Sequence, residues 1–266
     1  MRIDLHNHTP LCNHASGTPF EFAMRAKELG IDVYGFACHA PMAFDEAYRM
    51  KSEELPTYLE TIHSLKESMQ EEFNIEILCG LEVDFIKGRK DLLASSVLQA
   101  DVDYLIGSVH FLDTWGFDNP EFIGEYQKRD MYQCWSLYLE SLREMAESRV
   151  FQIVGHLDLL KLFGHTMPQA LETQLQQTLE SILKAQMSIE INAAGLRKQI
   201  QEIYPSKQIL SKAFALGIPI TFGCDAHSLE QVGVGYEQCL EAAMEVGYTE
   251  CVFYRKKQQV VVMLDS

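Results

Sequence analysis

The most constraining feature of this 266-residue chain is a regular alternation of short β-rich runs with longer amphipathic stretches. Runs rich in β-branched and aromatic residues predict seven strands, at residues 3–6, 33–37, 75–81, 104–108, 151–155, 188–192 and 218–223. Each connection between them is long enough to hold a helix. This alternation favours parallel strands in an α/β fold, but periodicity does not distinguish a barrel from an open, doubly wound sheet.

Helical spacing of apolar residues predicts helices at 19–29, 55–72, 128–147, 169–186, 206–216 and 236–246. The first has the clearest boundaries, because Thr18 can cap it, Pro19 suits its first turn, Glu21 completes a capping box and Gly30 ends it. Residues 258–264 read as a late strand. That strand would close a barrel, pair at a sheet edge or meet another subunit.

Length and composition predict one soluble domain over residues 1–266, since 47% of the residues are hydrophobic and 23% are charged. A net charge of −16 makes nucleic acid a poor partner, because a negative surface repels a polyanion. No apolar run approaches the roughly 18 to 20 residues that cross a bilayer. The seven cysteines are scattered and no signal peptide is recognisable, so we expect a cytoplasmic protein.

Seven of the nine histidines lie at or just after the carboxyl end of a predicted strand or in the first loop, and only His63 and His165 do not. In parallel α/β folds the loops converge at that end, and ligands bind there. We therefore expect these imidazoles to meet at one rim; they are His6, His8, His14, His39, His110, His156 and His227.

Carboxylates accompany these histidines. Asp4, His6 and His8 alternate along the first strand and so share one face, and Asp225 precedes His227 after the last strand. Glu82 ends an apolar run, where a carboxylate needs a cation or strong hydrogen bonds. Any one of these histidines alone would more often be a hydrogen-bonded core residue, but together they predict a site for divalent metal ions. Nitrogen and oxygen donors suit Zn, Mn or Fe, and the cysteines lack the grouping of a thiolate zinc site.

Over almost its whole length the sequence resembles the polymerase-and-histidinol-phosphatase (PHP) superfamily, and within it the monofunctional histidinol-phosphate phosphatases. One departure is Asn7, where the family often has Thr or Ser, and its side chain should point away from the metals. The resemblance is carried, in the family's order, by 4–8 (Asp-Leu-His-Asn-His), 12–14 (Cys-Asn-His), His39, 80–82 (Gly-Leu-Glu), 107–110 (Gly-Ser-Val-His), 155–158 (Gly-His-Leu-Asp), 190–192 (Glu-Ile-Asn) and 225–227 (Asp-Ala-His).

The resemblance implies a distorted (β/α)7 barrel with three metal ions, and hydrolysis of L-histidinol phosphate in histidine biosynthesis. A hydroxide bridging two of the ions would attack phosphorus. Carried over residue by residue, the first ion would take His6, His8, Glu82 and Asp225, the second Glu82, His110 and His156, and the third His14, His39 and His227.

The substrate contacts are predicted from the residues themselves. Arg197 follows the sixth strand, and its guanidinium matches two phosphate oxygens at once; Lys161 is a second candidate. Arg49 and Lys198 remain further candidates. Asp225 or a metal-bound water would protonate the leaving alkoxide, so Asp225, Glu82 and Arg197 are the expected catalytic residues. The residues available to bind a substrate ammonium, or to support the histidines, are Asp84, Asp158 and Glu190.

Three alternatives to this function remain. One is another PHP-type phosphoesterase that acts on a nucleotide or sugar phosphate. A second is an amidohydrolase-like metal hydrolase, although that class usually bridges its metals with a carboxylated lysine. A non-enzymatic metal-binding module is less consistent with so many ligands, since structural sites are closed and need only four. A homo-oligomer is also consistent with the sequence.

Overall fold

The structure, a computed structural model, describes residues 1–264 and contains a sheet of seven parallel strands paired in chain order. The two shortest strands have only two residues each, which makes the barrel irregular. The strands are β1 Ile3–Asp4, β2 Val33–His39, β3 Glu76–Asp84, β4 Tyr104–Ser108, β5 Ile153–Val154, β6 Ser188–Asn192 and β7 Ile220–Gly223.

The first and last strands meet and close the sheet. The backbone N–H of Leu5 donates to the carbonyl of Phe222 at 2.8 Å, and Asn7 forms a parallel bridge with Ala226. The predicted distorted (β/α)7 barrel is therefore confirmed, and the open sheet is excluded. Closure also places the carboxyl ends of β1 and β7 side by side, so that the first and last motifs of the sequence become neighbours.

The predicted helices all form. They are α1 Pro19–Glu28, α2 Leu55–Phe73, α4 Met131–Glu147, α5 Glu172–Lys184, α6 Lys207–Leu216 and α7 Tyr236–Val246, with a short α3 Ser95–Leu98 that the sequence analysis missed. Thr18 and Glu21 form the expected capping box. Helix α4 begins later than predicted because the Asp130 side chain caps it by accepting from the N–H of Tyr132 at 2.9 Å. Within the described residues, no helix has both the length and the apolarity to cross a membrane.

The barrel interior is filled from one side by a tyrosine. The Tyr104 hydroxyl donates to the carbonyl of Leu5 at 2.6 Å, and the ring lies where a Cβ on Gly35 or Gly80 would overlap it. Glycine at these two strand positions therefore makes room for a large side chain that joins β4 to β1. This packing lies below the rim where the histidines gather.

The late strand pairs neither with the barrel nor at its edge. Gln258–Met263 forms an antiparallel hairpin with Glu250–Arg255, a strand that the sequence analysis missed. The Tyr254 hydroxyl donates to the carbonyl of Gln152 at 3.0 Å, just before β5. The hairpin thus covers the amino ends of the strands, opposite the histidine rim.

Candidate metal centre

Every predicted metal ligand lies at the carboxyl end of the barrel. Glu82, near the end of β3, is at its centre: its Oε2 lies 2.9 Å from Nδ1 of His39 and 3.3 Å from Nε2 of His6. Its Oε1 lies 2.9 Å from Nε2 of His156 and 3.5 Å from Nε2 of His110. Nε2 of His8 also lies 3.7 Å from Oε2, so one buried carboxylate faces five imidazoles from four strands.

Asp225 forms a second focus after β7. Its Oδ1 lies 3.1 Å from Nε2 of His8 and 4.0 Å from Nε2 of His6. Next to this pair the ring of His8 stacks on His227 with centroids 3.9 Å apart, and the ring of His14 also stacks on His227, at 4.6 Å. The nitrogens of His8, His39 and His227 lie within 4.8 Å of one another, as do the ligand atoms of His6, His8 and Asp225.

Carboxylates behind the cluster orient two of its rings. Nδ1 of His6 lies 2.7 Å from Glu190, and Nδ1 of His110 lies 2.7 Å from Asp84. A neutral ring that donates from Nδ1 keeps the Nε2 lone pair for a cation, which is the usual support of a metal-bound histidine. A Cβ on Gly223 would overlap Glu190, so glycine at the end of β7 makes room for this carboxylate.

Two of the residues named as possible ammonium ligands, Asp84 and Glu190, thus support the histidines. Glu190 also accepts from the backbone N–H of His156 at 2.9 Å, and Asp84 accepts from Arg49 at 2.7 Å. Asn7 donates to Asp4 at 3.0 Å, away from the cluster as expected.

The carboxylates strongly favour positive charge in part of the cluster. Burial opposes a charged His6, but nearby carboxylates, Glu190 first among them, outweigh burial and raise the pKa of His6 well above its usual value. Burial also opposes a charged His110, yet Asp84 raises the pKa of that ring to about 10. Against the effect of burial, His6 holds the pKa of Glu82 well below its usual range. Without a bound cation, protons on the rings would have to balance these carboxylates.

Two histidines, His14 and His227, have the opposite electrostatics. Burial and the neighbouring ring of His39 lower the pKa of His14 to about 4, and burial and His8 lower that of His227 to about 2. Their Nδ1 atoms lie 2.8 Å and 3.1 Å from backbone carbonyls, of Cys12 and Asp225 respectively. Both rings therefore stay neutral and keep a lone pair available near neutral pH.

The donor set fits divalent cations. Seven buried atoms of the cluster have no hydrogen-bond partner among the described residues, although several face each other at about hydrogen-bond distance with unsuitable geometry. Buried polar atoms are normally satisfied, and a cation between these lone pairs would satisfy them. They are Nε2 of His6, both ring nitrogens of His8, Nδ1 of His39, Oε2 of Glu82, Nδ1 of His156 and Nε2 of His227.

The cluster forms the wall of a cavity of about 360 Å³, large enough for a small ester. A second cavity of about 220 Å³ adjoins it, and five residues line both: His14, His39, His110, Asp118 and Lys198. Asp118 was missed by the sequence analysis because it follows a short hairpin, Phe111–Leu112 with Trp115–Gly116, and carries no strand-end signal.

The two predicted phosphate ligands lie in different places. Arg197 lines the metal cavity, where one guanidinium nitrogen donates to the carbonyls of Cys224 at 2.7 Å and Asp225 at 3.1 Å. Lys161 is buried outside this cavity, with its ammonium at 3.0 Å from Asp158, 3.1 Å from Glu202 and 2.8 Å from the carbonyl of Ile203. Because Lys161 has three partners and does not line the metal cavity, we no longer assign it a phosphate.

This fold and site define a class: parallel α/β barrels that hold metal ions with histidines and carboxylates at the carboxyl ends of their strands. The PHP domain family matches residues 4–194. Together with the relatives below, this match shows that the chain belongs to the PHP family.

Two relatives and one solved structure are similar over nearly the whole chain. A Deinococcus radiodurans protein named Probable histidinol-phosphatase is 37% identical over 260 residues, which cover 96% of this chain and 98% of that protein. The Histidinol-phosphatase of Bacillus subtilis is 30% identical, with 91% and 99% covered. The Lactococcus lactis histidinol phosphate phosphatase, solved with zinc, L-histidinol and phosphate, has a TM-score of 0.83 at 20% identity, with 97% and 98% covered, and is similar in fold.

Proposed function

We propose that this protein is a metal-dependent phosphomonoesterase that hydrolyses L-histidinol phosphate to L-histidinol and phosphate. The observation that carries the metal chemistry is the convergence of nine ligand-type side chains, seven of which line one open cavity while His6 and His8 are buried behind them. The substrate follows from the two relatives, which bear the name histidinol-phosphatase and match at 37% and 30% identity over almost the full chain.

The proposed centre holds three divalent ions, Zn, Mn or Fe. Its ligand sets are those expected from the family: His6, His8, Glu82 and Asp225; Glu82, His110 and His156; and His14, His39 and His227. The distances to Glu82 and Asp225 support the first two sets. When bound, such ions would supply an activated water for attack on phosphorus and neutralise charge on the phosphoryl oxygens.

The chain's own groups orient the ester. Arg197 is the proposed phosphate contact, because it is the arginine that lines the metal cavity and guanidinium donors match phosphate oxygens. Its bonds to the loop carbonyls of Cys224 and Asp225 would at the same time hold it in place. Asp225, with 15% of its side chain accessible at the cavity, is the proposed group through which a proton reaches the leaving oxygen.

Phosphate release from L-histidinol phosphate, measured beside a panel of nucleotide and sugar monoesters, tests the proposal. Metal content is determined on the same sample. We expect a strong preference for L-histidinol phosphate that is lost on chelation and in His6→Ala. Preference for another ester in a metal-loaded enzyme would overturn the substrate, and absence of metal-dependent hydrolysis would overturn the mechanism.

A further inference from the structure

The second cavity is open to the metal cavity and differs from it in chemistry. Its outer wall includes three aromatic rings: Phe111 is buried, whereas Tyr48 is 38% and Phe122 is 45% exposed. The metal cavity instead holds Glu82, Asp225 and the cluster. An ester whose phosphoryl group lies at the cluster can therefore extend its organic part between aromatic walls.

The other carboxylates near this region are already neutralised. Asp84 is bound by Arg49 and faces His110, and Asp45 lies 3.0 Å from the same guanidinium. Asp158 lies beside Lys161 and accepts from the N–H of Ser206. Glu190 is held between His6 and the backbone of His156, so none of the three carboxylates first considered for an ammonium is free.

Asp118 differs from these carboxylates in its surroundings. It lines both cavities at their junction, yet within residues 1–264 no lysine or arginine nitrogen lies within 4.0 Å of its carboxylate and no side chain donates to it. Lys198 lines the same junction but is exposed and forms no such ion pair. Burial raises the pKa of the Asp118 carboxyl even though the nearby rings of His110 and His156 act in the opposite direction. A half-buried carboxylate with no lysine or arginine beside it is unfavourable, and a cationic ligand would relieve the cost.

We propose that the second cavity is the leaving-group subsite, and that Asp118 binds the ammonium of an amino-alcohol phosphate there. This inference rests on the proposed function and names the residue that makes the enzyme specific. The phosphoryl group lies at the metal cluster, the ammonium at Asp118, and the heterocycle between Tyr48 and Phe122. Neutral phosphate esters reach the cluster without using Asp118.

The test crosses two enzymes with two substrates: wild type and Asp118→Asn, each with L-histidinol phosphate and with its desamino analogue, imidazolylpropyl phosphate. We expect wild type to favour the amine-bearing ester about 10- to 100-fold in kcat/KM, mainly through KM, as for a partly buried charge pair. In Asp118→Asn that preference disappears, while the analogue is cleaved within about twofold of wild type. Glu121→Gln removes an exposed charge three residues away that lines neither cavity, and it keeps the preference.

The results that would contradict this inference differ from those that would contradict the proposed function. Preserved amine preference in Asp118→Asn overturns the inference, and so does an equal loss on both substrates, since a general acid or a structural residue would act on both. If metal-loaded wild type does not hydrolyse L-histidinol phosphate, the proposed function itself falls, and this inference falls with it.

Discussion

On one side of the candidate metal centre the histidine ring nitrogens lie close to carboxylates, and on the other side the histidine rings pack against one another. The carboxylate side consists of His6, His110 and His156 around Glu82, with Asp225 beside them. The imidazole side consists of His14 and His227, and His8 and His39 lie between the two, each with one ring nitrogen close to a carboxylate. Outer carboxylates orient rings on the first side, whereas backbone carbonyls orient His14 and His227 on the second.

The difference indicates that the two sides of the site bind metal ions with different affinities. On the carboxylate side the protein's own negative charge attracts a cation and is costly without one. On the imidazole side neutral donors coordinate without supplying charge, and His14 comes from an exposed loop. We therefore expect a tightly held metal on the carboxylate side and a weaker, more exchangeable one on the imidazole side.

The largest effect is expected from Glu82→Gln. This change removes the charge that five imidazoles face, so hydrolysis should fall by about a thousandfold or more, equivalent to about 4 kcal/mol in the barrier. Steady-state kinetics and metal analysis measure the loss. Glu76→Gln, at the other end of the same strand, removes an exposed pair with Arg255 and should leave activity near wild type. Retained activity and metal in Glu82→Gln would contradict the central role of this carboxylate.

A change behind the ligands should have a smaller effect. In Glu190→Gln, His6 loses its carboxylate partner, and outer-shell losses of this kind reduce metal affinity or activity by about 10- to 100-fold. Metal titration of the apoprotein measures the change. Glu241→Gln, exposed on α7, is the matched control. An unchanged affinity in Glu190→Gln would show that the bond from Nδ1 of His6 does not tune the site.

The imidazole side should tolerate change better. His14→Asn is expected to lose one metal equivalent and about tenfold in activity, whereas His6→Asn should lose metal from the carboxylate side and far more activity. Metal stoichiometry and kcat, determined together on both variants, provide the comparison. Equal losses in the two variants would remove the distinction between the sides.

The smallest effect on activity is expected from partial removal of metal with a chelator, which compares the metal affinities of the two sides directly. During titration with a chelator, we expect a first metal fraction to leave at low concentration with partial loss of activity, and a second fraction to leave only at higher concentration. His14→Asn should lack the first fraction. A single release step in wild type, with all metal lost together, would argue for one cooperative cluster.

Local patterns were enough to predict a parallel α/β fold and the gathering of the histidines at one end of it, whereas the barrel and the assignment of ligands to three ions were implied by the family resemblance. The strand that ends in His39 and the one that leads to His156 are short apolar runs. Because parallel strands have their carboxyl ends at one rim, these histidines come together there irrespective of the loop conformations. The seven barrel strands and the six predicted helices form accordingly. The hairpin near Asp118 was missed because its two-residue strands are too short to show a period. The strand Glu250–Arg255, whose four central residues are buried, was missed as well.

The positions of the side chains on the loops could not be predicted from local patterns. Arg197 and Lys161 each follow a strand, yet one lines the metal cavity and the other is enclosed by Asp158 and Glu202. The same holds for Asp118, whose position at the junction depends on the hairpin that precedes it.

By itself, the sequence determined a parallel α/β fold and the side chains at the carboxyl ends of its strands, because strand periodicity and the alternation of strands with helices are local properties of the chain. The choice of a barrel over an open sheet came from the family resemblance and from the contact between the first and last strands. Only the tertiary structure decided which histidines are supported by carboxylates, that Arg197 rather than Lys161 lines the metal cavity, and that, in the part of the chain that the structure describes, Asp118 has no lysine or arginine beside it. Those outcomes depend on distances between atoms far apart in the chain, such as Glu190 and His6, and on loop paths that no local pattern encodes.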